Sequence, residues 1–245
     1  MTGSRYVRFS AIVSGFALVA MLTTAVSAEE PDQKDLSARQ ILDRVAKAYA
    51  TCETYRDSGE VSITFIEVTG DRVDVRPFTT AFVRPHRFRY EYQAKHAGEV
   101  ISRYLIWRNR DEIKSWWDIT PGVKKPESLA LALGAAVGVS GGSSNTVPAL
   151  LMPKDVGGFR LTDLPLFKRL DDGKLDETDC FRLEGVFGKS PRTLWIDKKT
   201  SLILRILERT VFEGFSTIQV TTYKPVVGEK VAEDALAFDP PKSID

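Results

Sequence analysis

The sequence predicts an α+β protein that is mainly antiparallel β, folded as a half-open β-barrel of about 10–11 strands with an N-terminal helix and a helical lid. Short runs of alternating apolar and polar residues recur along most of the chain, separated by Gly, Asn and Asp. One amphipathic helix precedes these runs, and one long apolar segment interrupts them. Consecutive strands joined by short turns form antiparallel hairpins, and this many hairpins curl into a barrel or half-barrel.

The first residues have the pattern of a secretory signal peptide. Arg5 and Arg8 precede an apolar run that ends in AVSA at 25–28, with small residues where a signal peptidase cleaves. We expect residues 1–28 to be cleaved and residues 29–245 to form a single domain in the periplasm. The alternative, an uncleaved membrane anchor, is disfavoured because the run is short for a bilayer span.

The charge of the chain argues against partners chosen by charge alone. The formal net charge is +1, and cleavage of residues 1–28 would remove Arg5 and Arg8 and leave −1. A nearly neutral protein has no broad basic surface for nucleic acid, so we expect no nucleic-acid partner.

A helix is predicted near the start of the exported domain. Ser37 has N-cap chemistry, and Gln40 stands at the capping-box spacing. The apolar residues that follow recur at helical spacing: Ile41, Leu42, Val45, Ala46 and Tyr49. Their shared face needs a sheet to lie on.

The strands are predicted in two blocks. The first comprises residues 61–66, 73–83, 87–92, 100–108 and 112–117, and the second comprises residues 167–170, 180–187, 192–197, 202–212 and 216–223. Residues 87–92 alternate strictly, so Phe88, Tyr90 and Tyr92 share one face. The concave face of a curled sheet must be filled by side chains, by a helix or by a ligand.

The segment between the two blocks reads SLALALGAAVGVSGGSSNTVPALLMP at 128–153. Residues 129–139 carry no charged side chain and predict a helix that is apolar on all sides, which is typical of a buried helix. This helix is too short to span a bilayer. Residues 141–145, GGSSN, predict a flexible loop. Two interpretations stay open: a lid that can move away from the sheet, and a core helix followed by a surface loop.

The chain has two cysteines, Cys52 and Cys180. In an oxidising compartment two cysteines far apart in sequence are candidates for a disulfide, and export supplies the oxidant. We expect this disulfide; the alternative is two free buried thiols.

The motifs of familiar enzymes lack their context in this sequence. Residues 138–142 match the G-x-S-x-G motif, but both histidines, His86 and His96, lie upstream and a predicted helix precedes the motif instead of following it. Two histidines and two cysteines have no zinc-ligand spacing. We therefore expect no enzyme, no metal and no cofactor. A carboxylate pair for glycoside cleavage stays open, because strands bring distant residues together.

One stretch resembles a known family. Residues 82–91, FVRPHRFRYE, resemble the R-P-x-x-F-x-[WY] strand of the LolA-like superfamily of periplasmic lipoprotein carriers, the outer-membrane lipoprotein-sorting type. The upstream helix, the hairpin at 194–205 and the closing FDPP at 238–241 also fit in order and spacing. The cysteine pair and the lid rich in Ala and Gly depart from the family pattern, which indicates a side branch of the superfamily.

The resemblance implies a cavity for acyl chains between the sheet and a helical lid around residues 124–153. We assign to this cavity Phe88, Tyr90, Tyr92, Tyr104, Trp107, Trp116, Leu129, Leu133, Val137 and Leu150. In the family the Arg of the R-P pair ties the lid to the barrel, which implies that role for Arg84. The alternative for Arg84 is an edge charge before a strand-breaking Pro.

Three functional hypotheses follow. The first is a monomeric exported carrier or sensor that binds lipid acyl chains, including those of lipoproteins, and works with an inner- or outer-membrane partner protein. The second is a module that binds a protein partner in envelope-stress signalling and has no ligand. The third is an enzyme that acts on envelope glycans, with the Trp and Tyr side chains as a sugar platform.

Overall fold

The computed structural model describes Met1 and residues 33–96, 99–158 and 160–240. Apart from Met1, the predicted signal peptide at 1–28 lies outside the described residues. No helix within the described ranges is long and apolar enough to cross a membrane.

Helix α1 comprises Ala38–Thr51 and begins where the sequence predicts. The Ser37 side chain accepts a hydrogen bond from the Gln40 N–H, and the Gln40 side chain accepts one from the Ser37 N–H (2.8 Å). This capping box satisfies two of the N–H groups that a helix start leaves free. The helix has one buried apolar face, formed by Ile41, Leu42, Val45 and Tyr49.

Twelve strands follow in the described part of the chain. Their bounds are β1 Thr54–Ile66, β2 Arg72–Val83, β3 Arg87–His96, β4 Glu99–Asn109, β5 Glu112–Trp117, β6 Thr120–Lys124, β7 Phe167–Leu175, β8 Thr178–Phe187, β9 Ser190–Asp197, β10 Ile203–Val211, β11 Ser216–Thr222 and β12 Val226–Val227. The pairings between neighbouring strands are antiparallel.

The strands form one open sheet in the order β6-β5-β4-β3-β2-β1-β11-β10-β9-β8-β7, and β12 pairs with the start of β1. Strands β6 and β7 are its two edges, so the sheet is an incomplete barrel and the predicted fold class is confirmed. The sequence analysis missed β6 and β12. Strand β6 contains Pro121 and Gly122, residue types that are depleted in strands, and β12 has only two residues.

In each strand every second residue lies on the same face of the sheet, and the pairing between strands shows which of these residues share a face. Thr80 of β2 pairs with both Asp57 of β1 and Tyr90 of β3, and side chains alternate with a period of two. The face that carries these residues also carries the buried Phe82 and Phe88 of the main hydrophobic core. We call it the concave face, and the opposite face the convex face.

Three helices follow β6: α2 Leu129–Ala136, α3 Ser143–Leu151 and α4 Pro153–Val156. Helix α3 contacts α1, α2 and β3, and helix α2 contacts β4 and β5. The buried residues of α1, α2 and α3 belong to the same core as the concave face. The helices therefore cover the apolar face that an open sheet leaves exposed.

The predicted disulfide is wrong, because Cys52 and Cys180 are both free thiols. Cys52 follows α1 and packs against the core on the concave side. Cys180 precedes Phe181, a core residue of β8, so its own side chain points to the convex side. The two thiols thus lie on different faces of the sheet. Burial raises the pKa of each thiol.

Gly59 occupies a point of the concave face where a side chain does not fit. It pairs directly with Phe78, and a Cβ added at Gly59 would lie 2.3 Å from Phe78 Cζ and 2.5 Å from the Thr222 carbonyl oxygen. We predict that Gly59→Ala lowers the free energy of unfolding by ~1–3 kcal/mol, because the core is already packed. Denaturant unfolding measures this change.

Gly134→Ala is the matched control. A Cβ at Gly134, inside α2, meets nothing within 4 Å. Since Ala is favoured over Gly inside a helix by ~0.5–1 kcal/mol, this variant should be at least as stable as the parent protein. A Gly59→Ala variant as stable as the parent would contradict the packing described here.

Candidate functional site

Helix α2 lies on the concave face with one side inward and one side outward. Its cap is Ser128, whose side chain accepts a hydrogen bond from the Leu131 N–H (3.2 Å). Leu129 and Leu133 are buried, whereas Leu131 keeps 58% of its surface exposed. The expectation of a helix buried on all sides is wrong, because α2 rests on the sheet and does not pass through the core.

Two glycines turn the chain from α2 into α3. Gly141 and Gly142 have φ angles of 61° and 84°, in the left-handed region that favours glycine. A Cβ at Gly141 would also lie 2.8 Å from Val61 Cγ1. The turn therefore depends on glycine both for its backbone and for its close approach to β1.

Residues 141–145 do not form the predicted flexible loop. Ser143 and Ser144 belong to α3 and are buried. Ser144 Oγ donates to the Leu133 carbonyl of α2 (3.0 Å), so the serine side chain that suggested a solvated loop instead satisfies helix backbone. This bond helps to join α2 and α3 into one body, which we call the lid unit (residues 128–151).

Arg84 contacts the end of the lid unit. Its Nη2 donates to the carbonyls of Leu151, the last residue of α3, and Tyr49 (3.3 Å each), and its Nε donates to the Cys52 carbonyl (3.0 Å). One guanidinium thus joins the end of α3 to the end of α1. A surface pocket of about 350 Å³ opens beside Arg84, so solvent reaches this contact.

Two further side chains, which the sequence analysis missed, hold the turn between α2 and α3. Arg76 Nη1 donates to the Val139 carbonyl (3.0 Å), and Gln219 Nε2 donates to the Gly141 carbonyl (2.8 Å). Both residues pair with apolar residues of β1, which places them on the concave face. The sequence signal for such residues is a polar side chain at a position where the alternation of the strand otherwise places apolar ones.

Most of the predicted cavity residues line the interface between sheet and helices. Phe88, Tyr90, Tyr92 and Tyr104 are buried on the concave face, and Leu129, Leu133 and Leu150 are buried in the lid unit. Protein side chains fill this interface, since Phe88, Tyr90 and Leu133 expose none of their surface. Contact of these residues with a ligand stays a prediction.

Three predicted cavity residues lie elsewhere. Cross-strand pairing puts Trp107 and Trp116 on the convex face, opposite to Tyr104. Val137 is exposed at the end of α2. The inward position belongs to Trp117, which the sequence analysis did not select and whose ring centroid lies 5.4 Å from that of Tyr104.

On the convex face, Trp107 holds the last described segment of the chain. Its Nε1 donates to the Leu236 carbonyl (2.8 Å), and its ring lies 5.8 Å from that of Phe238. Arg89 Nη2 donates to Asp239 Oδ1 (2.8 Å). The closing FDPP motif therefore docks on the convex face, away from the lid unit.

A cluster of polar side chains interrupts the apolar concave face beneath α3. It comprises Tyr55, Asp57, Tyr90 and Tyr223, and we call it the polar cluster. Tyr55 OH donates to Asp57 Oδ2, and Tyr90 OH shares a hydrogen bond with Ser143 Oγ of α3 (2.7 Å). Asp57 Oδ1 and Tyr223 OH are buried and have no hydrogen-bond partner among the described residues.

The carboxyl group of Asp57 is buried in the polar cluster, away from water. Burial raises the pKa of Asp57 to about 7, and the hydrogen bond from Tyr55 opposes this rise. Burial also raises the pKa of each surrounding tyrosine: Tyr49, Tyr55, Tyr90 and Tyr223. The sequence analysis gave Asp57 no role, although it shares the strand parity of Tyr55 and Val61.

Residues 138–142, which match G-x-S-x-G, form the turn between α2 and α3 in the lid unit. Ser140 is buried, and its Oγ accepts a hydrogen bond from the Ser144 N–H (3.2 Å). Within the described ranges, no three His, Cys, Asp or Glu side chains are placed to hold a metal ion.

No protein-family model matches the chain, and no curated protein matches it. Among solved structures, it is similar to LprF from Mycobacterium bovis, with 13% identity over 79% of this chain and 94% of that chain and a TM-score of 0.44. It is also similar to a chain of the Pseudomonas aeruginosa MucA/MucB complex, with 14% identity over 82% of this chain and 60% of that chain and a TM-score of 0.43.

A third similar structure is a LolA superfamily protein from Nitrosomonas europaea, with 10% identity over 83% of this chain and 98% of that chain and a TM-score of 0.33. A LolA superfamily member is thus among the structural neighbours, as the resemblance of residues 82–91 implied. At these identities and scores, nothing about the ligand or partner of this chain follows from the likeness.

The contact of Arg84 with Leu151 predicts that this side chain limits opening of the lid unit. Arg84→Leu should speed hydrogen exchange of the amides of α3 by ~10–100-fold, because a hydrogen bond from a charged group contributes ~1.5–3 kcal/mol. The exchange rates of the amides in β8 and β9 should not change. Arg87→Leu is the control, since Arg87 pairs with Glu233 at the surface. If the exchange rates of the α3 amides are unchanged in Arg84→Leu, Arg84 does not limit opening of the lid unit.

The buried carboxyl of Asp57 predicts a fall in stability with rising pH. Its pKa is about 7 in the folded protein and ~3.9 when unfolded, so the folded state binds the proton more tightly. The free energy of unfolding should therefore fall as the pH rises from ~4 through ~7. Asp57→Asn should remove this fall. The size of the fall is at most ~4 kcal/mol, because one unit of pKa shift corresponds to ~1.4 kcal/mol. Denaturant unfolding at both ends of this window is the measurement, and parallel pH curves for the two proteins would contradict it.

Proposed function

We propose that this protein is an exported carrier or sensor of lipid acyl chains, in which the lid unit opens to admit the chain to the concave face and then closes over it. The observation that carries the proposal is the way in which the lid unit is held on the sheet. An apolar interface lies beneath it, and Arg84 donates to its backbone at the end of α3, while Arg76 and Gln219 donate to the turn between α2 and α3.

The forces that hold the lid unit fit a reversible exchange. Arg84, Arg76 and Gln219 are half-buried, so water replaces their hydrogen bonds when the lid lifts, and each such bond has a net value of ~1–3 kcal/mol. The larger cost of opening is exposure of the apolar part of the concave face beneath the lid unit, which we call the floor. An acyl chain covers that floor again and contributes ~0.8 kcal/mol per buried methylene. Binding of the chain therefore offsets part of the cost of opening.

The aromatic side chains of the floor suit a flexible chain. Phe88, Tyr90, Tyr92 and Tyr104 present ring faces and edges along two neighbouring strands, and the rings of Tyr92 and Tyr104 stack with centroids 6.2 Å apart. Such a surface offers dispersion contacts along its length and few directional bonds. The proposed carrier is a monomer in the periplasm and performs no covalent chemistry.

The second candidate function is binding of a protein partner. Two hairpin ends on neighbouring strands, β1–β2 and β10–β11, expose large apolar side chains: Val68 (98% exposed), Val211 (78%) and Phe212 (47%). Exposed apolar clusters of this kind are typical of interaction surfaces. The filled interior also fits a module without a ligand.

The glycan hypothesis has less support. A sugar platform needs free ring faces, whereas the Trp107 ring packs on Phe238 and the Arg103 guanidinium lies 6.0 Å from the Trp116 ring centroid. The two indoles also lie on the convex face, away from Tyr104 and the concave floor.

Lipid binding is tested by native mass spectrometry of the purified protein and by displacement of a fluorescent fatty acid. We expect acyl compounds to bind and to displace the probe. Leu133→Asp should release the probe at least ~10-fold faster, because a charge in the closed interface, where Leu133 is fully buried, costs several kcal/mol.

Leu131→Asp is the matched control on the solvent side of the same helix, and it should behave as the parent protein. Circular dichroism checks that Leu133→Asp remains folded, and Arg84→Leu provides a second variant with a weakened lid if it does not. Absence of any acyl binding to the delipidated parent protein would overturn the proposal and favour the partner-binding module.

A further inference from the structure

The polar cluster contains hydrogen-bonding capacity that the folded chain leaves unused. Asp57 and Tyr223 are almost fully buried, yet Asp57 Oδ1 and Tyr223 OH lack partners among the described residues. Buried polar atoms without partners are rare in proteins, and each costs free energy comparable to a lost hydrogen bond. A carrier has a reason to keep such atoms if a ligand supplies the partner.

The chemistry of the cluster selects the kind of partner. An ionised Asp57 offers only acceptor atoms, and one of its oxygens is already occupied by the Tyr55 hydroxyl. The groups that face it are its buried cross-strand neighbour Thr80 and the tyrosines Tyr49, Tyr55, Tyr90 and Tyr223, and no ion pair with Asp57 exists among the described residues. A buried acceptor without a cation favours an N–H donor and repels an anion.

The position of the cluster links it to the acyl floor. Phe78 lies between the two, because its ring centroid is 6.2 Å from that of Tyr90 and 5.5 Å from that of Tyr223. Phe78 of β2 also pairs directly with Tyr92 of β3, a residue of the floor. Helix α3 covers the cluster through the contact of Ser143 with Tyr90, so movement of the lid unit uncovers cluster and floor together.

We propose that Asp57 and the tyrosines of the polar cluster form a head-group site for amphiphiles that carry an N–H donor, an amide or an ammonium, next to the acyl chain. This inference rests on the proposed function, since the site opens only when the lid unit moves. Asp57 Oδ1 accepts the N–H of the ligand, Tyr223 OH bonds a neighbouring polar atom, and the chain runs over Phe78 toward Tyr92. Free fatty acids bind less well, because their carboxylate meets the Asp57 carboxylate.

Three probes with the same chain and different heads test this site: dodecylamine, N-methyldodecanamide and dodecanoate. Competition with a fluorescent acyl probe at about pH 8 measures their affinities for the parent protein. We expect the amine and the amide to bind at least ~10-fold more tightly than dodecanoate, since like charges across a desolvated contact cost well over 1.4 kcal/mol.

Asp57→Asn is the decisive variant, because it keeps the shape of the side chain and removes its charge. The three affinities should then agree within about threefold, which is less than ~1 kcal/mol, while chain binding is retained. Glu60→Gln, an exposed change on the convex face of the same strand, is the control and should keep the discrimination. A thermal melt confirms that each variant is folded.

The outcomes separate this inference from the proposed function. If no probe binds to the parent protein, both the carrier function and the head-group site are wrong. If all three probes bind the parent with equal affinity, the carrier function stands and the head-group site is wrong. If Asp57→Asn keeps the preference for amine and amide, a group other than Asp57 recognises the head.

Discussion

An antiparallel sheet that does not close on itself must have its concave face covered, and this constraint positions the other elements of the protein. The sheet ends in two unpaired edges, β6 and β7, and its inward residues are too apolar to face water. Helix α1 and the lid unit cover that face. The α1 backbone, the turn after α2 and the end of α3 then lie within reach of polar side chains from the sheet.

The cover differs from an ordinary core in how it is held. Within the interface the contacts are mainly apolar, and Arg84, Arg76 and Gln219 donate to backbone carbonyls at the end of α3 and at the turn after α2. Carbonyl acceptors are not tied to a particular side chain, so the sequence of the lid can vary while its fastening is kept. Apolar contact gives most of the affinity of such a cover, and the polar contacts fix its position.

The polar cluster adds a second property to the same interface. A carboxyl group with a pKa raised to about 7 lies under α3, where a simple core would have an apolar side chain. Its burial opposes closure whenever it is ionised, so the free energy of the covered state is coupled to the charge of one side chain. An occupant that neutralises or hydrogen-bonds this carboxylate relieves the cost, which makes the cluster sensitive to what lies on the floor.

The sequence by itself determined the elements that local physics controls. The capping box fixed the start of α1, and the strict alternation of residues 87–92 fixed the inward face of β3. The contact of Arg84 with the lid unit was implied only by the family resemblance of the R-P-x-x-F stretch. The period of two also excludes a shared face for Tyr104 and Trp107, which lie three residues apart in β4. Which of them points inward depends on the register with β3, where Tyr92 pairs with Tyr104.

Only the tertiary structure decided the remaining features, because each depends on a partner distant in sequence. Ser144 is helical and buried since its hydroxyl meets the Leu133 carbonyl, and the same serine in isolation favours a loop. Cys52 and Cys180 lie on different faces of the sheet, which cysteine counting cannot reveal. Asp57 shares the strand parity of Tyr55 and Val61, but its place beneath α3 depends on helix packing, which leaves no local trace in the sequence.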